Sequence, residues 1–207
     1  MKADLANIRN IIFDLGNVIL TLDFEASIRA FQKLGLSRNV ISRQQAYADP
    51  VFYQLETGAI SPERFRERVR EIVNNPLATD KEIDDAWYAM IGEVPEERVK
   101  VLKQLNKKYR VYLFSNTNEI HISRMHADFE TKYGFAFSSL FEEDFYSHEL
   151  CERKPDVSSF KKVIELAGIN PEETLFVDDL EKNTLAAAEA GLKVFWLRDG
   201  IEITELF

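Results

Sequence analysis

The feature that most constrains the fold is the apolar segment Ile11-Ile12-Phe13, which runs directly into Asp14. A strand that is buried on both faces, as in a parallel sheet covered by helices, is apolar without alternation. Residues 10–14 are therefore predicted to form a buried strand that carries Asp14 at its C-terminal end. A carboxylate is costly to bury without a partner, so we expect Asp14 either at an opening to solvent or beside cations. Both positions favour a functional site.

Beyond Pro95 the sequence alternates between helical and strand patterns. The predicted strands are 110–115, 144–147, 174–178 and 193–197. The predicted helices are 95–109, 118–132, 155–167 and 181–190. Strands that alternate with helices over short connections are typical of a parallel sheet with helices on both faces. We therefore predict an α/β fold with a Rossmann-like, three-layer core.

The segment between the first two predicted strands is helical throughout. Ser61-Pro62 is a typical helix start, and Thr79 with Glu82 forms a capping-box pattern. A normal crossover between parallel strands takes roughly 30 residues, and far more chain than this separates Asp14 from Ser115. We therefore predict a core of residues 1–16 and 93–207 with an inserted helical cap domain, residues 17–92.

Composition limits the classes of partner. The chain has 207 residues and a net charge of −9, which disfavours nucleic acid because phosphate backbones attract dense Lys and Arg. The single cysteine, Cys151, excludes an internal disulfide. Residues 1–10 do not resemble a signal peptide, and no apolar run reaches membrane-spanning length. We therefore expect a cytoplasmic protein with no membrane or nucleic-acid partner, and no pattern predicts an oligomeric state.

Polar residues lie where the predicted strands end. They are Asp14, the run 115–118 (Ser-Asn-Thr-Asn), and the pair Asp178-Asp179. Lys154 precedes Pro155, which suits the first position of a helix, so we expect Lys154 at that helix N-terminus. Ligands bind at the carboxyl ends of strands in open parallel sheets, and these groups are predicted to converge there.

The chemistry of these groups indicates phosphoryl transfer. Asp14 can act as a nucleophile or a metal ligand, and Asp178 and Asp179 can hold a hard cation such as Mg²⁺. Ser115, Asn116 and nearby helix-start amides can donate to an anion. Lys154 supplies a positive charge for a phosphate.

Each group also has a structural interpretation when it is taken alone. Asp178 and Asp179 could be turn or N-cap residues, and Lys154 could be a solvated surface lysine. The three histidines are expected at helix or loop surfaces, with a supporting role near the site as the alternative for His121. The functional interpretation depends on the four groups occurring together and in order.

Four motifs resemble those of the haloacid dehalogenase-like hydrolase superfamily. They are Phe13-Asp14-Leu15-Gly16-Asn17-Val18, Leu113-Phe114-Ser115-Asn116, Arg153-Lys154-Pro155-Asp156 and Phe176-Val177-Asp178-Asp179. The resemblance covers nearly the whole chain, including the helical cap. Within the superfamily the motifs are similar to those of a bacterial group that includes sugar-1-phosphate phosphatases. The resemblance implies a Mg²⁺-dependent phosphatase for a small phosphorylated metabolite, such as a sugar phosphate.

The resemblance also implies roles for individual residues. Asp14 would attack phosphorus and form an aspartyl-phosphate, which water then hydrolyses. Mg²⁺ would be held by the Asp14 carboxylate, the backbone carbonyl of Gly16 and one aspartate of the last motif, with Asp179 as first choice and Asp178 as second.

The same resemblance assigns the phosphate-binding groups. Ser115 and Lys154 would bind the oxygens of the transferring phosphoryl group, and Lys154 would also offset repulsion between Asp14 and the substrate. Asn116 would donate a hydrogen bond to the phosphate or the substrate.

Gly16 departs from the usual pattern of these phosphatases. Most of them carry a second aspartate at this position, which protonates the leaving oxygen and activates water, and its loss typically costs a factor of about 10²–10⁴ in rate. Three explanations are open. A cap residue such as Glu56, Asp23 or His121 substitutes, the substrate has an acidic leaving group such as an anomeric oxygen, or the protein is a poor catalyst.

Two alternative functions follow from Gly16. The chain could be a catalytically weak protein that binds or senses a phosphorylated ligand. It could also be a 2-haloacid dehalogenase, since these enzymes lack the second aspartate as well. They need no metal, and the pair Asp178-Asp179 argues against this second alternative.

Overall fold

A five-stranded parallel sheet forms the centre of the computed structural model, which describes residues 3–198 and 200–207. The strands lie in the order β3-β2-β1-β4-β5. They are β1 (Asn10–Phe13), β2 (Arg110–Ser115), β3 (Glu143–Tyr146), β4 (Thr174–Asp178) and β5 (Lys193–Trp196). The predicted α/β fold class is confirmed. Residues 1, 2 and 199, which fall in the predicted core ranges, lie outside the described residues.

Strand β1 occupies the middle of the sheet. Phe13 pairs with Leu113 on one side and with Val177 on the other, and Ile11, Ile12 and Phe13 are fully buried. The chain adds β2 and β3 on one side of β1 before it crosses to β4 on the other side. The strand order therefore reverses between β1 and β4, which is where a ligand crevice opens in such sheets.

Eleven α-helices are found among the described residues. They are α1 (Phe24–Leu34), α2 (Arg43–Ala46), α3 (Pro50–Glu56), α4 (Pro62–Ile72), α5 (Asp80–Tyr88), α6 (Glu96–Leu105), α7 (Glu119–Tyr133), α8 (Ser147–Leu150), α9 (Val157–Ala167), α10 (Glu181–Glu189) and α11 (Ile203–Leu206). Helices α2, α8 and α11 have four residues each, which is too short for a periodic pattern, and they were not predicted. No helix of the described residues has the length and apolar character needed to cross a membrane.

Helices α1–α5, which we call the helical insert, have an apolar core of their own. Phe31, Phe52, Phe65 and Trp87 pack within it, separately from the two clusters that cover the faces of the sheet. The chain enters and leaves the insert as an adjacent pair of segments, since Thr21 N–H donates to the Glu93 carbonyl at 3.0 Å. The division at residues 17 and 92 stays a prediction.

The helix starts follow the predicted capping residues with one exception. Ser61 accepts a hydrogen bond at the start of α4, and Thr79 and Glu82 form the complete capping box of α5. Pro155 is not the first residue of a helix, because α9 begins at Val157 with Asp156 as its N-cap residue. The expected position of Lys154 at a helix N-terminus was therefore wrong.

Candidate active site

The centre of the site is a buried ion cluster around Lys154. Its Nζ donates to Asp14 Oδ1 at 2.6 Å, to Asp178 Oδ2 at 2.9 Å and to the Phe114 carbonyl at 2.8 Å. Only 1% of the Lys154 surface is exposed, so the interpretation of Lys154 as a surface lysine was wrong. The amine meets two carboxylates from neighbouring strand ends, which offsets the cost of burying its charge.

The backbone of Lys154 is fixed by Asn116. The Asn116 side chain accepts from Lys154 N–H at 2.9 Å and donates to the Lys154 carbonyl at 2.8 Å. This reciprocal pair joins the end of β2 to the segment before α9 and turns the lysine inward. Asn116 therefore positions Lys154, and its contact with a substrate stays a prediction.

Three carboxylates at the switch point can hold a metal ion. Asp14, Asp178 and Asp179 each offer an oxygen, and these oxygens lie within 4.8 Å of one another. Carboxylate oxygens at this spacing suit Mg²⁺, which takes one or two carboxylates and completes its octahedron with water and phosphate oxygens.

The two aspartates of the last motif differ in their free lone pairs. Asp178 is fully buried, and it accepts from Lys154, from the Leu180 N–H and from the Asn183 amide, which contacts both of its oxygens. Asp179 is half-buried, and its carboxylate accepts from Asn17 at 3.2 Å. Asp179 thus retains more capacity for a metal, which is consistent with its choice as the direct ligand.

Burial, together with neighbouring negative charge, shifts the pKa values of the cluster. Burial raises the pKa of Asp14 to about 7, with Lys154 opposing this change and Asp178 and Asp179 adding to it. Burial also raises the pKa of Asp179. Burial disfavours charge on Lys154, but the neighbouring Asp14 and Asp178 outweigh it and raise its pKa. A divalent cation would relieve this repulsion, so the donor set fits a metal.

Asn17 and Asn183 are site residues that the sequence reasoning missed. Asn17 has a left-handed backbone (φ 58°), and its side chain donates to Asp179 and accepts from Leu22 N–H. Asn tolerates this conformation better than most residues. An asparagine directly after Gly16 was therefore the available signal in the sequence for Asn17. Asn183 holds Asp178 from the first turn of α10, and no motif marked it.

Gly16 leaves a space that another side chain already fills. A Cβ at Gly16 would lie 2.6 Å from Leu22 Cδ1 and 3.9 Å from Asp14 Oδ2. The position is therefore close to the Asp14 carboxylate, as a proton-transfer group would require, and the end of the half-buried Leu22 side chain would have to move aside for such a group.

A cavity of about 470 Å³ opens above Asp14. One wall consists of the sheet edge, where Ser115, Asn116, Lys154 and Asp179 contribute. The helical insert contributes Phe24, Arg43, Gln44 and Glu56 to the same lining. Asp14, Gly16, Ser115, Asn116, Lys154 and Asp179 are thus brought together as predicted, with Asp178 directly beneath them.

The three cap residues considered as substitutes for the missing acid lie in different places. Glu56 lines the cavity and pairs with Arg153 at 2.6 Å. Asp23 is the exposed N-cap of α1 and pairs with Arg29. His121 is buried beside Trp87 and bonds its carbonyl at 3.1 Å, so the expected surface position of His121 was wrong.

Comparison with known proteins identifies the family. The family model of haloacid dehalogenase-like hydrolases matches residues 8–191. The chain belongs to the haloacid dehalogenase-like hydrolases. The match spans strands β1–β4, ends before β5, and includes every residue of the site described above.

Relatives of this hydrolase are similar over nearly their full length. D-ribitol-5-phosphate phosphatase of Bacteroides thetaiotaomicron is 31% identical over 195 residues, which cover 94% of each chain. A family enzyme from the same organism, solved in complex with magnesium and inorganic phosphate, is 37% identical. It has a TM-score of 0.86 and coverage of 93% of this chain and 96% of its own. A hydrolase from Porphyromonas gingivalis is 31% identical, with a TM-score of 0.82 and coverage of 93% and 92%.

Proposed function

We propose that this hydrolase is a Mg²⁺-dependent phosphatase that hydrolyses a small phosphomonoester through an aspartyl-phosphate. The observation that carries the proposal is the buried Asp14–Lys154–Asp178 cluster next to Asp179 at the switch point of the sheet. The similarity to a D-ribitol-5-phosphate phosphatase supports an alditol or sugar phosphate as the substrate class.

Asp14 is the nucleophile. One carboxylate oxygen attacks phosphorus, the bond to the alcohol oxygen breaks, and the alcohol leaves with a proton. Water then attacks the phosphorus of the aspartyl-phosphate and regenerates the Asp14 carboxylate. The ion pair with Lys154 favours the ionised, reactive form of Asp14, against the effect of burial.

Ser115 and Lys154 bind the oxygens of the phosphoryl group. Both line the cavity next to Asp14, and the ammonium group of Lys154 offsets repulsion between Asp14 and the phosphate dianion. Asn116 keeps Lys154 in place through its backbone.

Asp14, Asp179 and the backbone carbonyl of Gly16 would hold Mg²⁺. When bound, the cation neutralises charge on the phosphoryl oxygens and stabilises the charge that develops during transfer. Asp178 supports the site from beneath by holding Lys154. The predicted cap domain, residues 17–92, contains the helical insert and covers the crevice. The cytoplasmic location stays a prediction from the sequence.

Assay of the purified protein tests the proposal. We expect release of inorganic phosphate from D-ribitol 5-phosphate, from sugar phosphates or from p-nitrophenyl phosphate in Mg²⁺, with none in EDTA and none from Asp14→Asn. Absence of Mg²⁺-dependent release across the whole panel would refute it.

Gly16, which supplies no acid beside Asp14, favours a second candidate, a phospholigand-binding protein with weak catalysis. This candidate predicts that a phosphorylated ligand binds tightly while turnover does not exceed that of Asp14→Asn. The dehalogenase alternative has no such support, because the three clustered carboxylates suit a metal that dehalogenation does not need. Chloride release from 2-chloropropionate in EDTA would favour the dehalogenase.

A further inference from the structure

The position that usually carries the proton-transfer aspartate has no side chain in this protein, because residue 16 is glycine. Leu22 Cδ1 lies next to it, and an acid for the leaving oxygen has to come from elsewhere in the cavity. Proton transfer needs a group within hydrogen-bond reach of the leaving oxygen. Candidates are therefore limited to the side chains that line the cavity.

Among the described residues, the carboxylates that line the cavity are Asp14, Asp179 and Glu56. Asp14 is occupied as the nucleophile and Asp179 as the metal ligand. Asp178 is fully buried below the cavity, with both oxygens hydrogen-bonded. Glu56 is the remaining carboxylate with access to a bound substrate.

The other two candidates named from the sequence lack that access. The Asp23 side chain caps the first turn of α1 and pairs with Arg29, and it does not line the cavity. His121 is held in the interior by Trp87, and burial lowers its pKa to about 3, which leaves it without a proton to give near neutral pH. It does not line the cavity either.

Glu56 and Asp14 reach the same cavity from different parts of the chain. Glu56 ends α3 in the helical insert, whereas Asp14 follows β1 at the sheet edge. In an in-line displacement the leaving oxygen departs on the side of phosphorus away from the attacking oxygen. Glu56 can therefore serve a substrate that binds with its leaving oxygen toward the helical insert.

The Glu56 backbone and side chain are both fixed. Its carbonyl accepts from the Ser147 hydroxyl at 2.6 Å, and its carboxylate pairs with Arg153 at 2.6 Å. About 20% of the side chain stays exposed, toward the cavity that it lines. Burial raises the pKa of Glu56, and Arg153, Arg43 and Lys182 oppose that change. The Glu56 carboxyl group is thus held at the surface of the cavity, where a proton-transfer group has to lie.

We propose that Glu56 is the proton-transfer residue of this enzyme, supplied by the helical insert in place of the missing core aspartate. The proposal rests on the phosphatase function proposed above. Glu56 gives its proton to the leaving alcohol oxygen as the bond from Asp14 to phosphorus forms. The Glu56 carboxylate then takes a proton from the water that attacks the aspartyl-phosphate, so the cycle ends with Glu56 protonated and Asp14 free.

Two substrates with different leaving groups test this role. Glu56→Gln keeps the size of the side chain and removes the proton. With D-ribitol 5-phosphate, whose alkoxide leaves poorly, we expect turnover to fall by about 10²–10⁴-fold. With p-nitrophenyl phosphate, whose phenolate leaves without help, we expect a fast burst of one p-nitrophenolate per active site, followed by slow turnover. The burst arises because the aspartyl-phosphate forms but lacks a base for its hydrolysis.

Control variants separate proton transfer from structure. Glu56→Met, a second variant without the carboxyl group, has to show the same burst. Arg153→Gln removes the ion pair but retains the Glu56 carboxyl group, and we expect no burst from it. Asp23→Asn, which keeps a good N-cap, should retain wild-type turnover on both substrates.

The proposal fails if both Glu56 variants lose activity equally on the two substrates without a burst, or if they retain wild-type turnover. Inactivity of the wild-type enzyme on every substrate would instead overturn the proposed phosphatase function.

Discussion

At Gly16 a single residue position removes a group that the chemistry of the site would use. The glycine brings no acid to the Asp14 carboxylate, and a Cβ there would lie 2.6 Å from Leu22 Cδ1. The position of Leu22 depends on a hydrogen bond from its N–H to the Asn17 side chain, which no pattern in the sequence records. The sequence alone therefore predicted the missing acid but not the side chain that lies beside Gly16.

An acid at position 16 would meet the end of the Leu22 side chain, which has to move aside for it. In the Glu56→Gln background, which lacks the proposed acid, we expect Gly16→Asp alone to recover less activity than Gly16→Asp/Leu22→Ala. The latter combination should recover activity on an alkyl phosphate, toward the factor of about 10² that a positioned acid supplies. Steady-state turnover of both combinations in that background checks this, with Leu22→Ala as the control. An equal gain from Gly16→Asp alone would contradict the steric explanation.

The remaining site residues differ in how far local sequence could predict them. Asp14, Ser115 and Asp178 follow buried strands directly, so their convergence was predictable from strand ends. The burial of Lys154 was not, because it depends on the contact of Asn116 with a segment that is distant in sequence.

Helix and strand positions were predictable where a pattern repeats over several turns. β2 and β4 were predicted with their observed bounds, and α5 begins after Thr79 with the predicted capping box. Helix α6 ends at Leu105 rather than near 109, since the apolar face formed by Val99, Leu102 and Leu105 ends there. The four-residue helices are set by contacts between distant segments, which a local pattern does not record.

Helix α7 depends on a neutral histidine where it meets α5. The His121 ring stacks on Trp87 with centroids 4.7 Å apart, and burial lowers its pKa to about 3. When the pKa of a histidine is lowered in the folded state, its contribution to the free energy of unfolding is fully present above its unfolded pKa of about 6.5. This contribution is lost as the pH falls toward 3.

A comparison of wild type with His121→Gln isolates this effect. The difference between their free energies of unfolding should be largest near pH 7.5 and smaller by about 2 kcal/mol at pH 5. Urea unfolding at the two pH values measures it. A difference that does not change with pH would show that His121 is not held neutral.

The whole molecule joins a parallel sheet to a helical insert, and the crevice between them holds the site. Strand–helix alternation predicted the sheet, and the long interval before the second strand predicted the insert. The packing of the insert was not predictable, because it relies on pairs such as Tyr88–Asp128 and Glu56–Arg153 that join distant parts of the chain. For the same reason, the sequence could not predict which side chains of the insert contact the substrate.

Binding of Mg²⁺ should stabilise the folded molecule, since the carboxylate cluster exists only when β1 and β4 are paired. At a concentration 100-fold above the dissociation constant, a bound ion stabilises by about 2.7 kcal/mol. We expect a rise in the thermal unfolding midpoint with Mg²⁺, lost in Asp179→Asn and retained in Asp156→Asn, which alters an exposed carboxylate of the third motif. A Mg²⁺ response that survives in Asp179→Asn would contradict Asp179 as the ligand.

The proposed mechanism requires that Asp14 carry the phosphoryl group during turnover. The most direct measurement is peptide mass spectrometry of the protein after acid quenching of a single turnover in Mg²⁺. We predict the added mass of one phosphoryl group on the peptide that contains Asp14, sensitive to hydroxylamine and absent from Asp14→Asn. Substrate turnover with no phosphoryl group on that peptide at any quench time would contradict the account.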